Sequence, residues 1–190
     1  PGTRFEGMLS FEADFHSYLA FMRQARDGGW LFYNPFTSEP HRPALFNLEW
    51  LIFGKLAIVL GGSLEAALHV ERIGSIFLLA CGVYRLCALV LQTVWMRRLT
   101  MVFVLLGGGL GWIPHVPGVR SVVPHFTTPD MYMGLHPFFW MLLQPHFLLA
   151  QALAVWTMVM VLEGRYRWAG LLLAVTGAVR PSTCYSFRRR

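Results

Sequence analysis

Long apolar stretches alternate with short polar connections along this chain, after a polar segment that covers residues 1–43. A helix needs about 20 apolar residues to cross about 30 Å of hydrocarbon. Two stretches reach that length, and the other two are shorter. The four stretches cover residues 73–95, 99–113, 138–162 and 168–179. The pattern predicts an all-α fold, a polytopic bundle of transmembrane helices.

The pattern also predicts how the chain is divided. Residues 1–71 are expected to form an external segment with amphipathic and juxtamembrane helices, and residues 72–180 the transmembrane part. Residues 115–137 would form a second external loop, and residues 181–190 a basic tail. Pro1 is not an initiator, and no signal peptide follows it. We therefore expect a fragment that is truncated at both ends.

The apolar run 44–60 allows two interpretations. Glu49 and Lys55 interrupt it, and a charge at bilayer depth costs a few kcal/mol, about 2.5–3.5 on insertion scales. An interfacial amphipathic helix is therefore favoured over a span. If the pairs Arg97/Arg98 and Arg165/Arg167 are both cytoplasmic, residues 1–71 and 115–137 then share the external face. A spanning helix would instead separate them.

Composition supports a membrane protein. Hydrophobic residues make up 55% of the 190 positions and charged residues 14%, against about 45–50% and about 25% in soluble domains. The net charge is +6, and arginines occur in pairs at the ends of apolar stretches, which indicates topology and not nucleic acid. The three cysteines form no CxxC pair, so neither a disulfide framework nor a zinc knuckle is predicted.

The N-terminal segment carries the first candidate chemistry. Ser10 is expected to cap a helix that runs to about Asp27, where Gly28 and Gly29 end it. Glu12 belongs to the polar, solvent-facing side of this predicted helix, whereas Asp14 aligns with Tyr18 on a largely apolar strip. A carboxylate there suits a general base whose pKa is raised by burial. Pairing of Asp14 with an arginine is the alternative, which we favour by about two to one.

Further polar residues lie in and between the apolar stretches. Arg72 and Arg85 either bind a phosphate or pair with neighbouring helices. The loop 115–137 is rich in histidine and also holds Asp130, and His146 follows it. The irregular spacing of the histidines makes a metal site a weak hypothesis, and whether a metal binds stays open. Gln144, His146 and Gln151 form a polar strip that should line a cavity or a neighbouring helix.

With these residues in view, the chain resembles the membrane-embedded GT-C glycosyltransferases, in particular the bacterial protein mannosyltransferase and aminoarabinose transferase group, also described as glycosyltransferase 39-like. The resemblance covers most of the chain and depends on the order of its features. These are the acidic residues Glu12 and Asp14, Tyr18, the break at Gly28 and Gly29, the run 40–46, the glycines 54, 61 and 62, Arg72, and an Arg-Pro motif in residues 177–181.

The resemblance implies roles for several residues. Asp14, with Glu12 second, would be the base that activates the acceptor, and Arg72 would lie near the donor phosphate. Tyr18, Asp130 and His136 would complete the pocket. The family's juxtamembrane helices agree with an interfacial run 44–60. The chain departs from the family in that Ala13 separates the two acidic residues and the first transmembrane helix is missing.

The sequence therefore predicts an enzyme of the inner (plasma) membrane of a bacterium that transfers a sugar from a polyprenyl-phosphate carrier to an acceptor at the external face. Its partners would be the lipid bilayer and the lipid-linked sugar donor, with no nucleic acid. No cofactor is certain, and a divalent cation stays open. The alternative is a non-catalytic membrane protein or transporter, in which Arg85, Gln144, His146 and Gln151 line a central pathway.

Overall fold

A computed structural model describes residues 12–107, 137, 140, 141 and 145–180. This part of the chain contains no strand, which confirms the all-α prediction for it, and Phe32 and Leu45 form an isolated β-bridge. Six helices are present in the described residues. They are α1 (Glu12–Arg26), α2 (Leu48–Val59), α3 (Leu64–Val90), α4 (Val94–Leu106), α5 (Pro145–Leu162) and α6 (Tyr166–Val179).

Local sequence signals set the helix ends. Asn47 caps α2 because its Oδ1 accepts a hydrogen bond from the Trp50 N–H at 3.0 Å. Ser63 caps α3 in the same way through the Ala66 N–H at 3.1 Å. Gly28, after α1, has a φ of +112°, a conformation that glycine adopts readily. The predicted end of the first helix is therefore confirmed, while its Ser10 cap lies outside the described residues.

The boundaries of the predicted spans need correction. The span expected at residues 73–95 is a helix that begins at Leu64, because Ser63 already supplies a cap, and ends at Val90. Arg97 and Arg98 were expected between two spans but lie in the first turns of α4. The Arg97 side chain reaches back to the break between the helices, where its Nε donates to the Leu91 carbonyl oxygen at 2.9 Å.

Contacts between the helices fix their directions. The Trp156 Nε1 donates to the Leu78 carbonyl oxygen at 2.9 Å, and Arg85 pairs with Glu163 with an N–O distance of 2.6 Å. Both contacts join residues that are 78 positions apart, so α3 and α5 run parallel. The short connections 91–93 and 163–165 send α4 and α6 back in the opposite direction.

Two ends of the helical bundle can therefore be defined. The polar end is where α3 and α5 begin and α4 and α6 end; α1 and α2 lie there too, because Tyr18 and Trp50 contact His146. The basic end is where α3 and α5 end and α4 and α6 begin. It carries Arg97, Arg98, Arg165 and Arg167. The two arginine pairs thus lie at one end of the bundle.

Helix α2 differs from the predicted amphipathic helix. Of its two charged residues, Glu49 is buried and Lys55 is half-buried, and its exposed residues include Ile52, Ile58 and Val59. The sequence predicted an amphipathic helix here, whereas in the structure Glu49 faces α3 instead of water. The helix has 12 residues, which corresponds to a length of about 18 Å. Both its ends stay at the polar end, since Asn47 contacts the end of α6 and Val59 leads into α3.

Two close helix contacts hold the fold together. Gly54 of α2 lies so close to α1 that a Cβ at this position would be 2.5 Å from the Ala25 Cβ. Gly82 of α3 lets the Trp156 side chain of α5 approach, where a Cβ would be 3.0 Å from the indole Nε1. Both glycines are needed for close packing of helices. They anchor α1 to α2, and α3 to α5.

One helix in the described part of the chain, Leu64–Val90, is long and apolar enough to cross a membrane. Of the most apolar 18-residue stretch of this helix, 28% is buried. His146–Leu162 and Tyr166–Val179 are apolar but shorter. Buried core helices of soluble proteins can have the same length and composition.

Candidate functional site

An aromatic cluster joins α1, α2 and α5 at the polar end. The Tyr18 ring stacks on Trp50, with ring centroids 4.7 Å apart and an angle of 15° between the planes. The same tyrosine meets the His146 ring edge-on at 4.5 Å. Aromatic pairs at these separations are stabilising, by about 0.5–1.5 kcal/mol each beyond the area they bury. The cluster fixes α1 and α2 against the start of α5.

Two buried carboxyl groups face each other between α2 and α3. Glu49 and Glu71 are 2% and 1% exposed, and Ser75 lies one helical turn after Glu71. Among the described residues, Glu49 Oε1, both Glu71 carboxyl oxygens and Ser75 Oγ have no hydrogen-bond partner. The two carboxyls interact electrostatically, although no hydrogen bond of ordinary geometry joins them. Burial of unpaired polar atoms is costly, so this pair is an unusual feature of the fold.

The environment of Glu49 changes its acidity. Burial raises the pKa of the Glu49 carboxyl well above its ordinary value, and the facing Glu71 carboxyl raises this pKa further. The positive charge of Arg180 acts in the opposite direction. The neutral acid is therefore favoured at Glu49. In that form the group can donate a hydrogen bond as well as accept one.

A polar cavity of about 230 Å³ opens beside Glu49. Its polar groups come from α1, from α2 and its cap, from α5 and from the end of α6. The Arg180 guanidinium lies 4.5 Å from the centre of the Phe147 ring, a cation–π contact that orients the side chain. The cavity is lined by Tyr18, Asn47, Glu49, Trp50, His146, Phe147, Val179 and Arg180.

An apolar groove of about 410 Å³ adjoins the polar cavity. The two spaces share Asn47 and Trp50 as lining residues. Asn47 holds the end of α6 in place, because its Nδ2 donates to the Val179 carbonyl oxygen at 2.8 Å. The groove is lined by Phe21, Phe32, Ala44, Leu45, Phe46, Asn47, Trp50, Gly177 and Ala178. Its walls are therefore mostly aromatic and aliphatic.

The structure brings only some of the predicted site residues together. Tyr18 lines the polar cavity. Arg72 lies on α3 beside Glu71, with its Nη1 3.4 Å from His69 Nδ1, and it lines neither space. Glu12 and Asp14 belong to α1, but their side chains lie outside the described part of the structure. Asp14 precedes Tyr18 by one helical turn.

Other predictions fall on the remainder of the chain. Asp130, His136 and Gln144 lie outside the described residues. Among the residues that are described, no three His, Cys, Asp or Glu side chains converge in a way that would hold a metal ion. Arg85 lies near the basic end in its pair with Glu163, whereas His146 lies at the polar end.

Sequence reasoning missed three of the residues at this site. Glu49 was interpreted as an interruption of an apolar run, Glu71 was not considered, and Arg180 was noticed only as part of an Arg-Pro motif. A signal was present, because a single carboxylate inside an apolar run needs a partner. The sequence does not show that Glu49, Glu71 and Arg180 meet, since they belong to three different helical segments.

Comparisons with known proteins do not place the chain in a family. No family model, no curated protein and no solved structure matches it.

Proposed function

We propose that this chain is part of a multi-pass glycosyltransferase of the GT-C type, located in the inner (plasma) membrane of a bacterium. It would transfer a sugar from a polyprenyl-phosphate carrier to an acceptor at the external face. The observation that carries the proposal is the separation of the two ends. A cavity with acidic, aromatic and cationic groups lies at the polar end, and two arginine pairs lie at the basic end.

The arrangement of the ends agrees with an enzyme whose site faces away from the cytoplasm. Cytoplasmic connections of membrane proteins carry an excess of lysine and arginine. If the basic end is cytoplasmic, α1, α2 and the polar cavity are external. Helix α2 would then lie along the membrane surface, because it is too short to span and both its ends stay at the polar end.

The proposed reaction uses groups at the polar end. The acceptor hydroxyl oxygen forms a bond to the anomeric carbon of the donor sugar, and the bond from that carbon to the phosphate oxygen breaks. The electron pair of the broken bond stays with the polyprenyl phosphate. Asp14 takes the proton of the hydroxyl, and an arginine at the polar end stabilises the phosphate. Stabilisation of the developing phosphate charge should contribute most to the rate.

The transporter alternative receives less support. It requires Arg85 and His146 to line one pathway in the middle of the bundle. Arg85 lies beside Glu163, which follows His146 by 17 residues along α5 and its end. That separation corresponds to about 25 Å of helix. Arg85 and His146 therefore lie near opposite ends.

Thiol labelling tests the sidedness of the two ends. We would replace the native cysteines by serine and introduce Ser38→Cys or Tyr166→Cys, both at exposed positions on opposite ends. An impermeant thiol reagent should label Ser38→Cys in intact cells and Tyr166→Cys only after the membrane is opened. Labelling of both positions in intact cells would contradict the proposed topology.

Activity is tested in the full-length protein with Asp14→Asn. Loss of a general base should lower the transfer rate by about 10²–10⁴-fold. Arg23→Gln, on the exposed face of α1, is the matched control and should keep the wild-type rate. Wild-type transfer by Asp14→Asn in a folded protein would remove Asp14 from the mechanism.

A further inference from the structure

Arg180 lies where the polar cavity meets the apolar groove. It lines the polar cavity, while Gly177 and Ala178, which precede it by three and two residues, line the groove. The two spaces are neighbours, because Asn47 and Trp50 line both. A single ligand could therefore place a charged group in the cavity and an apolar chain in the groove. Such a ligand must be anionic at its polar head, because the charge at the junction is that of a guanidinium.

We propose that Arg180, and not Arg72, holds the phosphate of a prenyl-phosphate ligand, whose first isoprene units lie in the apolar groove. This inference rests on the proposed function, since it identifies the residue that would bind the lipid carrier. It differs from what the resemblance implies, because Arg72 lines neither the cavity nor the groove.

The surroundings of Arg180 suit a phosphate. The Phe147 ring holds the guanidinium in place at 4.5 Å, so less side-chain freedom is lost when an anion binds. Asn47 and Tyr18 add groups that can donate hydrogen bonds to phosphate oxygens. Glu49, which also lines the cavity, would repel a phosphate if it were ionised. Its burial and the facing Glu71 raise its pKa and so favour the neutral acid, which can donate a hydrogen bond instead.

The groove suits one extended apolar chain. Phe21, Phe32 and Phe46 form much of its wall, and the small residues Gly177 and Ala178 leave room along α6. Small residues on one side and aromatic rings on the other make a slot, which favours a single chain over a phospholipid with two chains. The volume of about 410 Å³ is that of a short length of such a chain.

Binding of farnesyl phosphate to the detergent-solubilised full-length protein tests this inference. Trp50 lines both spaces, so its fluorescence should report the titration. Arg180→Gln should weaken binding by about 10–100-fold, the loss expected for hydrogen bonds to a charged group. Arg72→Gln should change it by less than about threefold, because Arg72 lines neither space and makes no direct contact with the ligand. Arg180→Lys should retain part of the affinity, because it keeps the charge.

Further measurements separate binding of the phosphate group from binding of the isoprenoid part of the ligand. Ala178→Trp, which fills the groove, should weaken farnesyl phosphate but not inorganic pyrophosphate, and farnesol should bind more weakly than farnesyl phosphate. The assignment would be overturned if Arg72→Gln lost affinity for farnesyl phosphate while Arg180→Gln kept it. It would also be overturned if the wild-type protein bound farnesol as tightly as farnesyl phosphate. Melting temperatures of the variants show whether each one folds, and displacement of farnesyl phosphate from the wild-type protein by pyrophosphate tests the anion site without any substitution.

The result is distinguishable from a failure of the proposed function. If Arg180→Gln loses farnesyl phosphate while Asp14→Asn keeps full transfer, the lipid-phosphate site stands and the proposed mechanism falls. If the wild-type protein transfers sugar but Arg180→Gln binds farnesyl phosphate normally, the proposed function stands and this inference falls.

Discussion

Replacement of Glu49 by glutamine tests the buried carboxyl pair between α2 and α3. Glutamine has the shape of glutamic acid but carries no charge, and its amide N–H can donate to a Glu71 carboxyl oxygen that has no partner among the described residues. An unsatisfied buried acceptor costs about 1–3 kcal/mol. The neutral Glu49 carboxyl can donate the same hydrogen bond, so the variant should match the wild type at low pH. It should exceed the wild type by up to a similar amount at a pH where the wild-type Glu49 would lose its proton. For a chain of this size, that corresponds to an increase in Tm of about 2–4 °C per kcal/mol.

The effect should depend on pH, and its sign follows from the raised pKa of Glu49. An unfolded glutamate has a pKa of about 4.3. Because the folded group has a higher pKa, the folded protein binds more protons above that value, and its stability falls as the pH rises toward the folded pKa. The glutamine side chain of the variant does not titrate. The advantage of the variant should thus be smallest at low pH and grow as the pH increases.

Thermal unfolding of the wild type and of Glu49→Gln in detergent between pH 5 and pH 8 measures this difference. Glu39→Gln is the control, because Glu39 is an exposed carboxylate on the loop before α2. Its melting curve should follow the wild type at every pH. A Glu49→Gln variant that is less stable than wild type at pH 8 would refute the reasoning. It would mean that Glu49 is ionised in the folded protein and that its attraction to Arg180 outweighs burial.

Three further substitutions test the packing and the transporter alternative. Gly54→Ala should destabilise the contact of α1 with α2 by about 1–3 kcal/mol, because its Cβ would lie 2.5 Å from the Met22 carbonyl oxygen. Gly74→Ala is the matched control, because a Cβ at that position meets no atom within 4 Å. Equal melting temperatures of the two variants would contradict the close contact at Gly54. Trp156→Phe removes the hydrogen bond to the Leu78 carbonyl oxygen and should lower the free energy of unfolding by about 0.5–1.5 kcal/mol, measured by denaturant unfolding. An unchanged free energy of unfolding would show that this hydrogen bond contributes nothing to stability. Arg85→Gln should lower the free energy of unfolding by less than about 1 kcal/mol, because the Arg85 side chain in the ion pair with Glu163 is half exposed. Sugar transfer should stay unchanged in this variant. Loss of transport or transfer would favour the alternative of a pathway through the bundle.

The sequence alone determined the type of each element and several of its ends. Helical class follows from long apolar stretches, and the end of α1 follows from Gly28 and Gly29, because glycine permits a turn that other residues resist. The ends of α5 and α6 at Leu162 and Val179 coincide with the ends of the predicted stretches. These signals are local, so neighbouring residues are enough to interpret them.

The tertiary structure decided where the charged groups go. A carboxylate in an apolar run, such as Glu49, either points to water or faces another helix, and helical periodicity gives its face but not the element opposite. Its partner Glu71 is 22 residues away, and the Phe147–Arg180 contact joins residues 33 apart. These encounters depend on the directions of the helices and on how closely glycines such as Gly54 let them pack. For that reason, the sequence predicted helices and a polar N-terminal segment, whereas only the fold brought Glu49, His146 and Arg180 to one cavity.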